Sequence, residues 1–400
     1  VNFPPASPAA IPKTAELASA RAPQSPRVAA ALLLIAAAGV PLSLFWDFSW
    51  ESTIGIDLFW SLPHAATYLA VGLAGAIALA LIITTSQSAD ARAAAVRLGP
   101  VHAPLGVWVS AWGALAFLVA VLFDRWWQSA YGLSAGIWHP PQILKAVAFF
   151  AILVGAWLLC VSCQNQFPSS DEPARRNPVL FAASGGVVLT MISVVTLTLI
   201  YPNRQHTGTF YKIACGSYPI VLVAVARAGK LRWTAAVSAI VYAAIVCSMV
   251  WLLPLFPAKP QVPPIYNPLD HMMPPPFPLL LIAPAIAMDA LFRKKFGPEF
   301  KGSSWLQAVA AGMVFFALFF AMQWAFGEFL LSDLADNWFF AGGGRHWPFF
   351  LKIDAVSRVS FWKLRGQEMN LLSSVIAAGW AVFAARLGLW IGDWMKGVRR

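Results

Sequence analysis

The sequence predicts an all-α, polytopic transmembrane helix bundle of about ten spans, with a duplicated helical hairpin at its N-terminal end. Three observations predict it. Of the 400 residues, 59% are hydrophobic and only 11% are charged, less than half the charge of an average soluble domain, and the mean hydropathy is +0.67. Apolar runs recur at lengths that cross a hydrocarbon core about 30 Å thick. Lys and Arg gather on alternate connections.

The expected spans run approximately over 28–46, 62–84, 101–123, 141–163, 178–200, 209–226, 232–254, 277–292, 305–326 and 371–391. Two are marginal. The run at 209–226 contains Lys212 and Pro219, and the run at 277–292 is short. Each is expected to be tilted, broken or partly re-entrant.

With ten spans the two termini share a side. The connections on that side hold Arg92 and Arg97, Arg175 and Arg176, Arg227, Lys230 and Arg232, then Arg293, Lys294, Lys295 and Lys301. The terminal segments add Lys13, Arg21, Arg27, Lys396, Arg399 and Arg400. The opposite short loops hold Arg125, Arg204 and Lys259, with Lys145 and Lys212 near span ends. The positive-inside rule therefore expects both termini in the cytoplasm; the expected localisation is a bacterial inner membrane, multi-pass.

The expected organisation follows. Residues 1–27, rich in Ala, Pro and Ser, read as a disordered cytoplasmic tail, not a cleavable leader. Residues 28–84 and 101–163 form the two hairpins, and 178–326 the rest of the bundle. Residues 327–370 are too polar to span and read as a periplasmic cap loop. Residues 371–400 are the last span and a cytoplasmic tail. The net charge of +11 belongs to the cytoplasmic boundary. No basic cluster is interleaved with aromatics, so nucleic acid is not an expected partner. The expected partners are the lipid bilayer and other membrane subunits. Cys160 and Cys163 form a CxxC at a span end and read as packing residues, with no second pair near them. No nucleophile–base pair, phosphate loop or haem attachment sequence is present, so neither haem nor nucleotide is expected and no catalytic residue is assigned.

The opposite face is different in kind. It collects Asp47, Glu51, Asp57, Asp124, Asp270, Glu328, Asp333 and Asp336, and five of the six His: His64, His139, His206, His271 and His346. Part of this set belongs to a repeat. Trp46-Asp47-Phe48-Ser49-Trp50-Glu51, Gly55, Asp57 and Trp60-Ser61-Leu62-Pro63-His64 match Phe123-Asp124-Arg125-Trp126-Trp127-Gln128, Gly132, Ser134 and Trp138-His139-Pro140-Pro141-Gln142. Pro63 and Pro141 suit a first helical turn, and Gly55 and Gly132 suit a turn. The acids and His64 need another reason.

Asp47 and Glu51 stand four apart, on one face of a helix that continues past the membrane edge. The hairpin brings His64 opposite them. Two carboxylates and one imidazole resemble a facial triad, which suits iron, with zinc or manganese as further ligand chemistry. The alternative is two hydrated acids and a hydrogen-bonding His at a helix start. The pattern Asp-x3-Glu-x12-His also resembles the Asp-x3-His-x12-His motif of the C subunit of particulate methane and ammonia monooxygenases. That resemblance implies a metal, usually assigned as copper, near the periplasmic face. Asp47 and His64 match; Glu51 stands where the family has His, which favours copper less, with iron or zinc as alternatives. The duplicated hairpin is also similar to that of a wider group of uncharacterised bacterial polytopic membrane proteins. In the second copy Asp124 is kept, Gln128 and Gln142 replace the His positions, and His139 is the remaining imidazole, a weaker site.

Elsewhere, His271-Met272-Met273 offers copper(I) donors but reads first as a loop before a span. Asp289 is expected to pair locally with Arg293 and Lys294. Tyr201, Arg204, His206 and Lys212 read as interface anchors, and Gly342-Gly343-Gly344-Arg345-His346 as a turn. Three function classes remain: a metal-site protein related to copper membrane monooxygenases (oxygenase subunit or metal-handling accessory), a non-catalytic structural or assembly subunit, and a transporter.

Overall fold

A computed structural model describes residues 26–56, 58–93, 95–132, 139–166, 178–296, 302–342, 347–351 and 368–399. The expected N-terminal tail before Pro26, Asp57, Trp138, Arg175, Arg176, Lys301, the Gly343-Gly344-Arg345-His346 run and Arg400 lie outside the described residues.

In chain order the helices are α1 (Pro26–Thr53), α2 (Leu62–Gln87), the short α3 (Ala89–Ala93), α4 (Leu105–Tyr131), α5 (Pro140–Asn165), α6 (Pro178–Val195), α7 (Gly208–Ala228), α8 (Thr234–Leu252), α9 (Ile282–Lys294), α10 (Ser304–Leu330) and α11 (Leu371–Gly397). A small antiparallel hairpin, β1 (Val96–Leu98) and β2 (Val101–Ala103), turns at Gly99 between α3 and α4. Among the described residues, nine helices are long and apolar enough to cross a membrane. The protein is a multi-pass membrane helix bundle. One end carries Arg92, Arg97, Arg227, Arg232, Arg293 and Lys396, and is the basic end. The other carries Asp47, Asp124, Asp270 and Asp336, and is the acidic end.

Helices α5, α6 and α7 lie inside the bundle, whereas α2, α4 and α10 leave most of their apolar surface on the outside. Lipid tails are as apolar as Leu, so that exposure costs nothing and packing specificity comes from close backbone approach. Gly106, Ser110 and Gly113 line the α4 face that meets α5. A Cβ on Gly113 would sit 2.8 Å from the Ile152 nitrogen, and Ser110 Oγ donates to the Ile152 carbonyl at 3.2 Å. Gly388 and Gly392 of α11 play the same part against α7.

The repeat predicted from spacing is visible in the backbone. α1 and α4 each run out into a glycine of positive φ, Gly55 at +81° and Gly132 at +86°, a conformation that other residues seldom adopt. α2 and α5 each follow an extended residue, Ser61 and His139, and carry Pro in the first turn.

The two marginal spans part company. The Lys212-containing run is one regular 21-residue helix, α7, that accommodates Pro219 and is N-capped by Thr207 Oγ1 accepting from the Phe210 N–H at 3.2 Å. The 277–292 run is not a full helix. α9 has 13 residues, and Met272–Leu281 before it is almost wholly buried without helix. Hydrogen bonds trace its path. The Met273 N–H reaches Thr53 Oγ1 at the acidic end of α1, the Leu279 N–H reaches the Tyr242 hydroxyl midway along α8, and Asp289 reaches the start of α8 at the basic end. The segment therefore runs the length of α8 as a broken crossing, half irregular and half helix. It is the short run at 277–292, expected to be tilted, broken or partly re-entrant, and it is broken. Pro274, Pro275, Pro276 and Pro278 have no N–H, so few donors in the buried stretch need partners.

Candidate functional site

The first hairpin brings Asp47 and His64 together. Asp47 lies near the end of α1 and His64 in the first turn of α2, and His64 Nε2 stands 3.4 Å from Asp47 Oδ1. The backbone explains the approach. Gly55 reverses the chain, Trp50 Nε1 pins the turn by donating to the Ile56 carbonyl at 2.8 Å, and Thr67 Oγ1 donates to Ser43 Oγ at 2.9 Å one turn deeper. His64 Nδ1 lies 2.9 Å from the Leu58 carbonyl oxygen. A carbonyl only accepts, so Nδ1 carries the hydrogen and Nε2 is the nitrogen turned to the carboxylate. That is the outer-shell arrangement that commonly orients a metal-binding imidazole. The ring is also stacked on Tyr68, with centroids 6.2 Å apart, and Tyr68 in turn packs against Phe59 and Trp60.

Glu51, one turn beyond Asp47 on α1, is exposed. Among the described residues no group of three His, Cys, Asp or Glu side chains meets at metal-binding distance. Two of the three residues expected from the sequence thus face one another, and Asp57 is not described.

The second hairpin is closed differently. Asp124 Oδ2 accepts from Lys145 Nζ at 2.6 Å and from Gln128 Nε2 at 3.1 Å. Lys145 is three residues beyond Gln142, so it occupies in α5 the place of Thr67 in α2. His139 packs its ring on Trp127, 6.1 Å between centroids, at the start of α5. The cation beside Asp124 is a Lys, which the motif comparison passes over because it lies outside the matched positions.

Other singled-out residues resolve into defined contacts. His206 is buried, with Nε2 3.0 Å from the Trp324 carbonyl, and is no interface anchor. Burial lowers its pKa to about 4 against the opposing effect of that carbonyl, so the imidazole is neutral at pH 7. Asp289 is not chiefly a local ion-pair partner. Its carboxylate accepts the N–H groups of Ala235 at 3.1 Å and Ala236 at 2.9 Å, capping α8. Cys160 and Cys163 are buried free thiols, as the packing reading expects, and Cys215 is buried and free too.

Sequence reasoning missed a neutral polar cluster inside the bundle. Ser193 Oγ bonds both Tyr218 and Tyr242 at 2.9 and 3.0 Å, and the Tyr242 oxygen also accepts from the Leu279 N–H at 2.9 Å. Gln323 Oε1 accepts the Leu280 N–H at 2.9 Å, while its Nε2 donates to Gln205 Oε1 at 2.7 Å. The cluster serves the irregular half of the broken crossing. A buried Gln in an otherwise apolar run was the available signal. Comparison with family models, with curated proteins and with solved structures finds no match for this chain.

Proposed function

We propose that this chain is a bacterial inner-membrane protein with cytoplasmic termini and a metal site on Asp47 and His64 at its periplasmic face. It is related, on this reading, to the C subunit of copper membrane monooxygenases, as an oxygenase subunit or a metal-handling accessory, and works with other membrane subunits. One observation carries the reading: the 3.4 Å between His64 Nε2 and Asp47 Oδ1, with Nδ1 held by Leu58. Two donors about 2.0–2.2 Å from one ion and so separated subtend roughly 110°, the tetrahedral angle. Glu51 or water completes the set. The motif's kinship favours copper, whereas one imidazole among carboxylates suits iron or zinc.

The test is metal content per chain after loading purified protein with copper, zinc or iron. We expect about one equivalent in the wild type, loss in His64→Ala and Asp47→Ala, and weaker retention in Glu51→Ala. Equal, substoichiometric metal in wild type and His64→Ala sinks the reading.

A second reading has its own observation, the Asp124–Lys145 pair at 2.6 Å. Here the repeated Asp is a clasp between paired helices, and the chain is a structural or assembly subunit without a catalytic role. Its test transplants the second pair onto the first hairpin as His64→Gln with Thr67→Lys. A clasp retains wild-type thermal stability through that exchange, with no metal in either protein. A stable variant that loses a metal the wild type binds refutes it.

A further inference from the structure

The acidic end holds a cavity of about 470 Å³ that the metal reading does not use. Two sequence features more than 60 residues apart build it: Asp270-His271, at the head of the broken crossing, and Asp336-Asn337-Trp338, after α10. Pro257 also lines it. We propose that this cavity binds a small organic cation of the ammonium or quaternary ammonium class.

Its walls are built rather than incidental. Pro257 and His271 pair as an antiparallel bridge, flanked by the Ala258 N–H to Asp270 carbonyl bond at 3.1 Å and the Met272 N–H to Phe256 carbonyl bond at 2.9 Å. Asn337 is spent on its own turn: Oδ1 accepts from the Phe339 and Phe340 N–H groups at 2.9 and 3.1 Å. That turn presents Trp338, which stacks on Trp251 with centroids 6.0 Å apart and remains 56% exposed. Trp251 is fixed in turn, its Nε1 donating to the Phe339 carbonyl at 2.9 Å.

The lining selects the ligand. Asp270 and Asp336 bring two carboxylates to a space that Trp338 also lines, and an indole attracts a cation placed over its ring. His271 Nδ1 lies 2.6 Å from Asp270 Oδ1, so this imidazole turns to the carboxylate and not to an anion in the cavity. Lys259 also acts on Asp270 from outside the lining and offsets part of the negative charge. A bare metal ion fits less well, because the space is that of an organic molecule.

The test titrates purified full-length protein with choline and with its neutral isostere 3,3-dimethylbutanol, reading intrinsic fluorescence and thermal shift. Choline should bind at least about tenfold more tightly than the isostere, and Trp338→Leu should weaken choline by about two- to fivefold. Asp270→Asn and Asp336→Asn should each weaken it too. Trp338 and Asp270 are exposed, so their variants probe the cavity without disturbing the bundle. Equal binding of choline and the isostere overturns the proposal. So does unchanged choline affinity in both Trp338→Leu and Asp270→Asn.

Discussion

At Tyr242 one phenolic oxygen accepts two hydrogen bonds, from Ser193 and from the Leu279 backbone. Tyr242→Phe leaves the Leu279 N–H buried without this acceptor and takes from Ser193 one of its two tyrosine partners, at a cost of roughly 1–3 kcal/mol. Thermal unfolding in detergent should show the midpoint falling, and an unchanged midpoint would mean that the broken crossing does not depend on this oxygen. Asp289 works similarly at the basic end. Asp289→Ala should cost about 1–2 kcal/mol through loss of the α8 cap, while Arg293→Ala should cost much less, since the carboxylate's hydrogen bonds go to α8. A larger loss from Arg293→Ala would restore the ion-pair reading. The contrast shows what spacing can reveal. Arg293 is one turn from Asp289 and visible in the sequence, but Ala235 and Ala236 are more than 50 residues away. Asp47 and His64 were legible because a short hairpin forces them together. Lys145 was not, because the repeat aligns Gln142 with His64 and hides the residue one turn on.

Among the elements, the hairpins are fixed by glycines at close approach. Gly155→Val drives a side chain into the Gly106–Ser110 stretch of α4, and overpacking of this kind costs about 1–3 kcal/mol or more. Gly379 of α11 has nothing within 4 Å of where a Cβ would stand, so Gly379→Ala should be neutral or stabilising by up to about 1 kcal/mol. Unfolding midpoints of the two variants check the pair, and equal shifts would show that the packing face has been misread. Span positions were legible because hydropathy alone marks them. The broken crossing was legible as an anomaly, short and rich in Pro, but not in form, because its amide acceptors, Thr53, Tyr242 and Gln323, come from three other helices.

For the whole molecule, the basic and acidic ends give a topology that can be measured. On the proposed orientation, cysteines placed at Ala89 or Lys295 should react with a membrane-impermeant thiol reagent only when the cytoplasmic face is open. Cysteines at Ser129 or Asn337 should react in intact spheroplasts. Labelling of both sets from one side would overturn the ten-crossing topology. The fold class was legible because the bilayer allows so few solutions to backbone hydrogen bonding. The function was less so, because a site of two or three side chains occupies little of the sequence. The broken crossing also bears on how the protein is made. A nascent helix satisfies its own amides and can enter lipid as it emerges, but Met272–Leu281 cannot, since the Leu280 N–H takes its acceptor from Gln323, 43 residues later. During synthesis the Leu280 N–H has no access to this acceptor until α10 follows. Biogenesis of this crossing is therefore cooperative, and a chain cut between α9 and α10 should fail to integrate it stably while retaining α1 to α8.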